Sequence, residues 1–202
     1  MPALISASER QRFWTADEFL AWLKPGTHAD LLNGEIFMHS PVNLKHARLL
    51  NFVERLLAAF IEPRHLGELH REVVAVRLTS RDVFLPDLCF FTTDQISRFQ
   101  PTYIPVAPVF VFEAMSPRSA AVDAGPKLAA YEVHGVREYW ILDPERLAHR
   151  FFRREGELLV EFAADQEIIR SQTIAGFWVR RSWLNPEQLP AVGPALAEIG
   201  LA

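Results

Sequence analysis

Between positions 43 and 63 the chain reads NLKHARLLNFVERLLAAFIEP, and its apolar residues at 49, 53, 56, 57 and 60 fall on one face of a helix. Asn43 is available as N-cap, so the pattern predicts the first long helix here. Earlier, SERQRFWTADEFLAWLKPG sets Thr15 three residues before Glu18, a capping-box spacing, ahead of Phe19, Leu20, Leu23 and a Pro-Gly stop. That is a short helix. Between the two helices, ADLLNGEIFMHS holds two strand-like runs joined by Asn33-Gly34, the pair that favours the positive φ angles of a type I′ hairpin turn.

Beyond the long helix the period shortens. ELHREVVAVRL (68–78) alternates as a strand does, and VFLPDLCFF (83–91) and PVFVFEAM (108–115) are Val- and Phe-rich runs of strand type. In AAVDAGPKLAAYEVHG (120–135), Pro126 suits a first helical turn, Leu128, Tyr131 and His134 share a rough face, and Gly135 closes the helix. REYWILDP reads as another buried strand and LAHRFFRREGELLVEF as a hairpin turning near Glu155-Gly156. The rest holds one more candidate strand and a Pro-rich tail. This order predicts an α/β core sheet with a helix on each side and β additions at both ends. We expect a single domain over residues 1–202, with a core at about 15–165 and a C-terminal extension at 166–202.

Composition narrows the function classes. Half the residues are apolar and 23% are charged, the balance of a soluble globular chain. No run reaches the roughly 20 apolar residues of a membrane helix, and the N-terminus lacks a signal-peptide core, so a cytoplasmic protein is expected. The one cysteine, Cys89, excludes an internal disulfide and a Cys-rich zinc site, and its apolar setting reads as core packing. A net charge of −4 argues against a broad cationic surface for nucleic acid, leaving local patches. Phosphate-loop, dinucleotide, G-x-S-x-G and H-E-x-x-H patterns are all absent.

Candidate chemistry begins with two charges in apolar strands. Asp87 follows Pro86 within VFLPDLCFF, and Glu113 stands within PVFVFEAMSP, although a buried carboxylate is costly unless paired or metal-bound. Adjacent strands lie about 4.8 Å apart, so the two would project from one face into one site. At about 4 Å and an effective dielectric near 20 they repel by roughly 4 kcal/mol, which favours a proton or a cation between them. A hard divalent cation such as Mg²⁺ takes one or two carboxylates, with water and substrate phosphate completing its shell. Lys127, opening the following helix, would reach the same place and stabilise charge on a phosphate or act on an attacking water. Each residue also has a plainer reading. Asp87 suits a strand-end turn; Glu113 suits a carboxylate held by Arg118 or a helix terminus; Lys127 and Glu35 suit solvated positions; and His46 suits a structural role at a helix start. Asp123 reads as a helix-dipole residue or a positioner of Lys127.

Taken together, NGEIFMHSP, LPDLCFF and PVFVFEAMSPRSAAVDAGPKLAAYEVHGVREYWILDP resemble the Uma2 family of the PD-(D/E)xK restriction-endonuclease-like superfamily, over about residues 15–165. The resemblance implies a restriction-endonuclease-like fold, a central mixed sheet flanked by helices, with Asp87 and Glu113 binding Mg²⁺ or Mn²⁺ and Lys127 as catalytic lysine. Glu35 would match an acidic residue near the first hairpin, as an outer metal ligand or water orienter. His46 would stand near the same site. In the superfamily's usual pattern the lysine lies two residues after the acid. That place is Met115 here, so the lysine has moved to the next helix.

The expected function is metal-dependent hydrolysis of DNA phosphodiesters by a water nucleophile, with a homodimer following from the need to cut two strands. Two rivals stand beside it: a nucleic-acid-binding protein of the same fold without efficient cleavage, and a hydrolase of a small phosphoester. Arg64, Arg71, Arg77, Arg81, Arg150, Arg153 and Arg154 are candidates for backbone contact or ordinary surface charge.

Overall fold

The computed structural model describes residues 12–39, 42–72, 74–116 and 119–200. Helix α1 (Ala16–Trp22) begins with the anticipated capping box, Thr15 and Glu18 each satisfying the other's backbone N–H. Strands β1 (Ala29–Leu32) and β2 (Glu35–Met38) form an antiparallel hairpin in which Asn33 and Gly34 have φ of 51° and 82°, as a two-residue type I′ turn requires. Helix α2 (Leu44–Ile61) is capped by Asn43, whose side chain accepts from the His46 N–H at 2.9 Å.

Two runs that read as single strands are each divided between two sheets. The segment 68–78 becomes β3 (Gly67–Arg71) and β4 (Val76–Arg77), and 83–91 becomes β5 (Val83–Phe84) and β6 (Leu88–Thr92). Strands β4 and β5 join the first hairpin in a four-stranded sheet, whereas β3 and β6 belong to a six-stranded one. Pro86 explains the second break: it has no N–H for a ladder, and the Leu85 N–H just before it is taken by the Asp30 carboxylate at 2.8 Å. The chain crosses between sheets at Pro86, and Asp87 lands on the seam.

The six-stranded sheet is completed by β7 (Phe110–Ala114), β8 (Glu138–Leu142), β9 (Arg150–Glu155) and β10 (Leu158–Phe162), after the short helix α3 (Thr93–Ile96). Only β7 and β8 are parallel, so a crossover must join them. It runs through α4 (Ala120–Val122), a π turn at Asp123–Lys127 and α5 (Leu128–Val133). Pro126 therefore lies inside the helical segment and not in its first turn; the widened turn accommodates a residue that cannot donate a backbone hydrogen bond.

Both faces of this sheet are buried. Leu88, Phe90, Phe110, Phe112 and Trp140 pack beneath α2, and Cys89, Val111, Tyr139 and Ile141 pack against the crossover at Tyr131. The Cys89 thiol is held well above its usual range by burial and by Glu113, in keeping with an inert core position.

The tail is part of the same core. Strands β11 (Ile168–Arg170) and β12 (Trp178–Arg180), and helix α6 (Val192–Ile199), bring Ile169, Phe177, Val179 and Ala195 onto α2 and the sheet. Buried Glu138 ties them in, accepting from Trp140 Nε1, Ser171 Oγ and the N–H groups of Gln172 and Thr173. No helix among the described residues is long and apolar enough to cross a membrane.

Candidate active site

Leu88 of β6 lies opposite Phe112 of antiparallel β7, so the residue before Leu88 and the residue after Phe112 face each other. These are Asp87 and Glu113. Their link is direct: the Asp87 N–H donates to Glu113 Oε2 at 3.3 Å, and the Ala114 N–H donates to Asp87 Oδ2 at 2.7 Å. Glu113 occupies the sheet face that carries the crossover, and the π turn drops Lys127 onto it. Lys127 Nζ lies 2.8 Å from Glu113 Oε1, and Tyr131 Oη is 3.4 Å from the same oxygen.

Lys127 holds two further carboxylates, Asp30 Oδ2 at 2.8 Å and Asp123 Oδ1 at 3.7 Å. Asp30, on β1, is otherwise fully engaged, taking the Leu85 N–H on one oxygen and His39 Nε2 at 3.0 Å on the other. These groups line a cleft of about 110 Å³, which exceeds the roughly 10–15 Å³ that one water requires. His46, from the first turn of α2, lines it too, with Nε2 3.6 Å from Asp87 Oδ1.

The charges do not balance. Asp30, Glu72, Asp87, Glu113 and Asp123 share the cleft with one ammonium, Lys127, and the imidazoles of His39 and His46, of which His39, despite its burial, is favoured in its protonated form by Asp30. Burial pushes Glu113 up to about 8; Lys127 opposes the rise, while Asp87, Asp123 and Asp30 add to it. Asp123 is also raised, mainly by burial. At Asp30 burial is outweighed by Lys127 and His39, and its carboxyl stays well below the usual range. Burial opposes the charge on Lys127 but loses to Asp30 and Glu113, so the amine remains protonated far above neutrality. The cleft thus carries excess negative charge that must be met by protons or by a cation.

Of the residues expected from sequence, Asp87, Glu113 and Lys127 meet here, and Glu35 does not. Glu35 is exposed at the turn end of β2, opposite Leu32, while the hairpin's buried acid is Asp30, opposite Phe37. Two residues along a strand is about 7 Å, enough to take Glu35 out of the cleft. Asp30 had the same signal as Asp87, a carboxylate in an apolar run, and Asp123 stands four residues before Lys127 on one helical face. Arg118 lies outside the described residues. Most of the candidate arginines are committed within the chain: Arg71 to Glu54, Arg77 to Asp17, Arg150 to Glu161, Arg153 to Glu155, and Arg154 to backbone carbonyls.

Among the described residues no three His, Cys, Asp or Glu side chains form a ready-made metal cage. Two carboxylates in a cleft with room for water nevertheless suit a hard cation that keeps much of its hydration shell. Asp87 and Glu113, which face each other across β6 and β7, fit that demand, and Glu113 also contacts Lys127, as Asp30 and Asp123 do.

The sequence model of the family Uma2, described as "Putative restriction endonuclease", matches residues 16–186. The chain belongs to the Uma2 family. The fold of this Uma2 member is shared by a crystal structure described as "a putative nuclease belonging to DUF820 from Anabaena variabilis", with a TM-score of 0.68 at 16% identity. The alignment covers 92% of this chain and 98% of that one. No curated protein matches the Uma2 chain in sequence. Family and fold together point to a nuclease.

Proposed function

We propose that this protein is a metal-dependent endonuclease that hydrolyses DNA phosphodiester bonds, with water as nucleophile and Mg²⁺ or Mn²⁺ held at Asp87 and Glu113. The observation that carries the reading is the convergence of these two carboxylates and the Lys127 ammonium in one cleft, from a sheet seam and a crossover helix. A bound divalent cation supplies Lewis acidity toward a phosphoryl oxygen and makes water a better nucleophile at neutral pH.

The chain's own residues do the rest. Lys127, gripped by three carboxylates, is a fixed positive charge and not a base; it stabilises the charge that builds on the phosphate in the transition state. Asp30 and Asp123 hold it in place, and the Ala114 N–H fixes the Asp87 carboxylate through one oxygen, leaving the other toward the cleft. DNA is the polymer favoured by the family's description, and cutting both strands of a duplex would call for two copies of the site.

The test is incubation of the purified chain with supercoiled plasmid and with single-stranded DNA in Mg²⁺, Mn²⁺ or chelator, beside Asp87→Asn and Lys127→Met, with melting curves as folding controls. Metal-dependent nicking lost in both folded variants supports the proposal. A wild-type chain that binds DNA equally well in chelator and never cuts it would instead be a binding module.

A further inference from the structure

At the end of the six-stranded sheet opposite the cleft lies a second pocket, of about 360 Å³, a size that suits a small ligand. Val109 and Arg137, the residues just before the parallel strands β7 and β8, line it. Glu113 stands near the other end of β7, about 13 Å further along the strand. The pocket's charge is the reverse of the cleft's. Arg77, Arg98, His134 and Arg137 line it and no Asp or Glu does, in a chain whose net charge is −4. Arg77 is committed, with Nη1 2.6 Å from Asp17. Arg98 and Arg137 are exposed, and neither side chain makes a hydrogen bond or an ion pair with another described residue. Asp94 senses the Arg137 charge without pairing with it.

The walls are fixed by hydrogen bonds. Gln95 Nε2 donates to the Ala107 carbonyl at 2.8 Å, the Arg77 N–H to that of Ile104 at 2.9 Å and the Arg137 N–H to that of Val109 at 2.9 Å. The three segments that carry the arginines are thus tied to one loop, 104–109. Carbonyls around the end of α5 would repel an anion, but Arg154 takes up those of Glu132 and Val136. Two permanently charged guanidiniums beside one pocket repel each other until an anion joins them, and the planar fork of each matches a pair of phosphate oxygens. We propose that this pocket binds a phosphomonoester, carried by a small molecule or by the end of a nucleic-acid strand, with Arg98 and Arg137 gripping its oxygens and His134 as a further donor. A monoester carries nearly two negative charges near neutrality and so meets both cations, which a backbone diester does not. The site stands apart from the carboxylates of the cleft and does not depend on cleavage.

Binding is measured on the full chain in chelator at about 0.15 M salt, so that weak surface attraction is screened. Inorganic phosphate and deoxythymidine monophosphate are titrated by calorimetry. Internally labelled single strands with a phosphate at the 5′ end, at the 3′ end or at neither are followed by anisotropy. Each is tested on wild type, Arg98→Gln, Arg137→Gln and, as a control, Arg55→Gln at an exposed position of α2. All three substitutions are at exposed side chains, so melting curves should match wild type. Wild type should bind a phosphate-bearing probe, Arg98→Gln and Arg137→Gln should each weaken it by about tenfold, and Arg55→Gln should stay within about twofold. A strand end bound well ahead of the free monophosphate assigns the site to strands; comparable affinities assign it to small ligands. The proposal is overturned if no phosphate-bearing probe binds, or if strands bind equally with and without a terminal phosphate while the monophosphate does not bind. It is overturned too if the losses in Arg98→Gln and Arg137→Gln are no greater than in Arg55→Gln. None of these outcomes bears on metal-dependent cleavage, which is assayed separately.

Discussion

Asp30 Oδ2 lies 2.8 Å from Lys127 Nζ, with both side chains about 4% exposed, so the first hairpin and the crossover helix are joined by a buried ion pair beneath the cleft. The pair places the ammonium; it is not itself positioned to bind the cation. Asp30→Asn keeps an acceptor for the Leu85 N–H but removes the charge that most favours the protonated lysine. Cleavage should fall by about tenfold or more, Mn²⁺ affinity should hold within about threefold, and stability should drop by about 1–3 kcal/mol. Kinetics, calorimetry and denaturant melts on one preparation check all three.

Glu113 makes the metal-free protein sensitive to alkali. Its carboxyl is raised from an ordinary 4.5 to about 8, chiefly by burial, so the folded state holds a proton that the unfolded state has lost. Its contribution is complete below about pH 4.5 and disappears as pH rises through 8. Melting temperature in chelator should therefore fall between pH 6.5 and 8.5, and Mn²⁺ should flatten the decline by replacing the proton. Asp87→Asn, which removes a carboxylate that raises Glu113, should melt no lower than wild type in chelator at pH 8 while losing metal binding. A flat wild-type profile in chelator would contradict this account.

His149 acts with the opposite sign. Burial and then the Arg181 charge push its imidazole down to about 4, and neutral Nδ1 accepts the Asp143 N–H at 3.2 Å. Its contribution is present above about 6.5 and is lost as pH falls through 4. His149→Gln should make the acid limb between these values shallower than in wild type, measured by thermal melts, with cleavage at neutral pH unchanged.

Glu138 anchors the tail without touching the site. Four donors converge on its carboxylate, and truncation leaves them buried and unpaired. Glu138→Ala should cost about 2–4 kcal/mol of stability. Cleavage well below its melting temperature should match wild type, and hydrogen exchange should show the loss concentrated at 168–184.

Much of this protein is determined by local sequence. Capping at Thr15 and Asn43, the Asn33-Gly34 turn and the apolar face of α2 depend on neighbouring residues, and each formed as its pattern dictates. Asp87 and Glu113 were legible because a carboxylate in an apolar run is an energetic anomaly that needs no partner to be noticed. What depended on distant residues was not legible. Pro86 marks a break, but only the Leu85 N–H meeting Asp30 turns that break into a change of sheet. Lys127 was expected near the site but could equally be read as a solvated helix residue; a π turn buried it among carboxylates from three segments, and which hairpin acid reached it was decided by strand register, favouring Asp30 over Glu35. The isolation of His46 exists only in the folded chain, because an unsatisfied nitrogen is defined by everything packed around it.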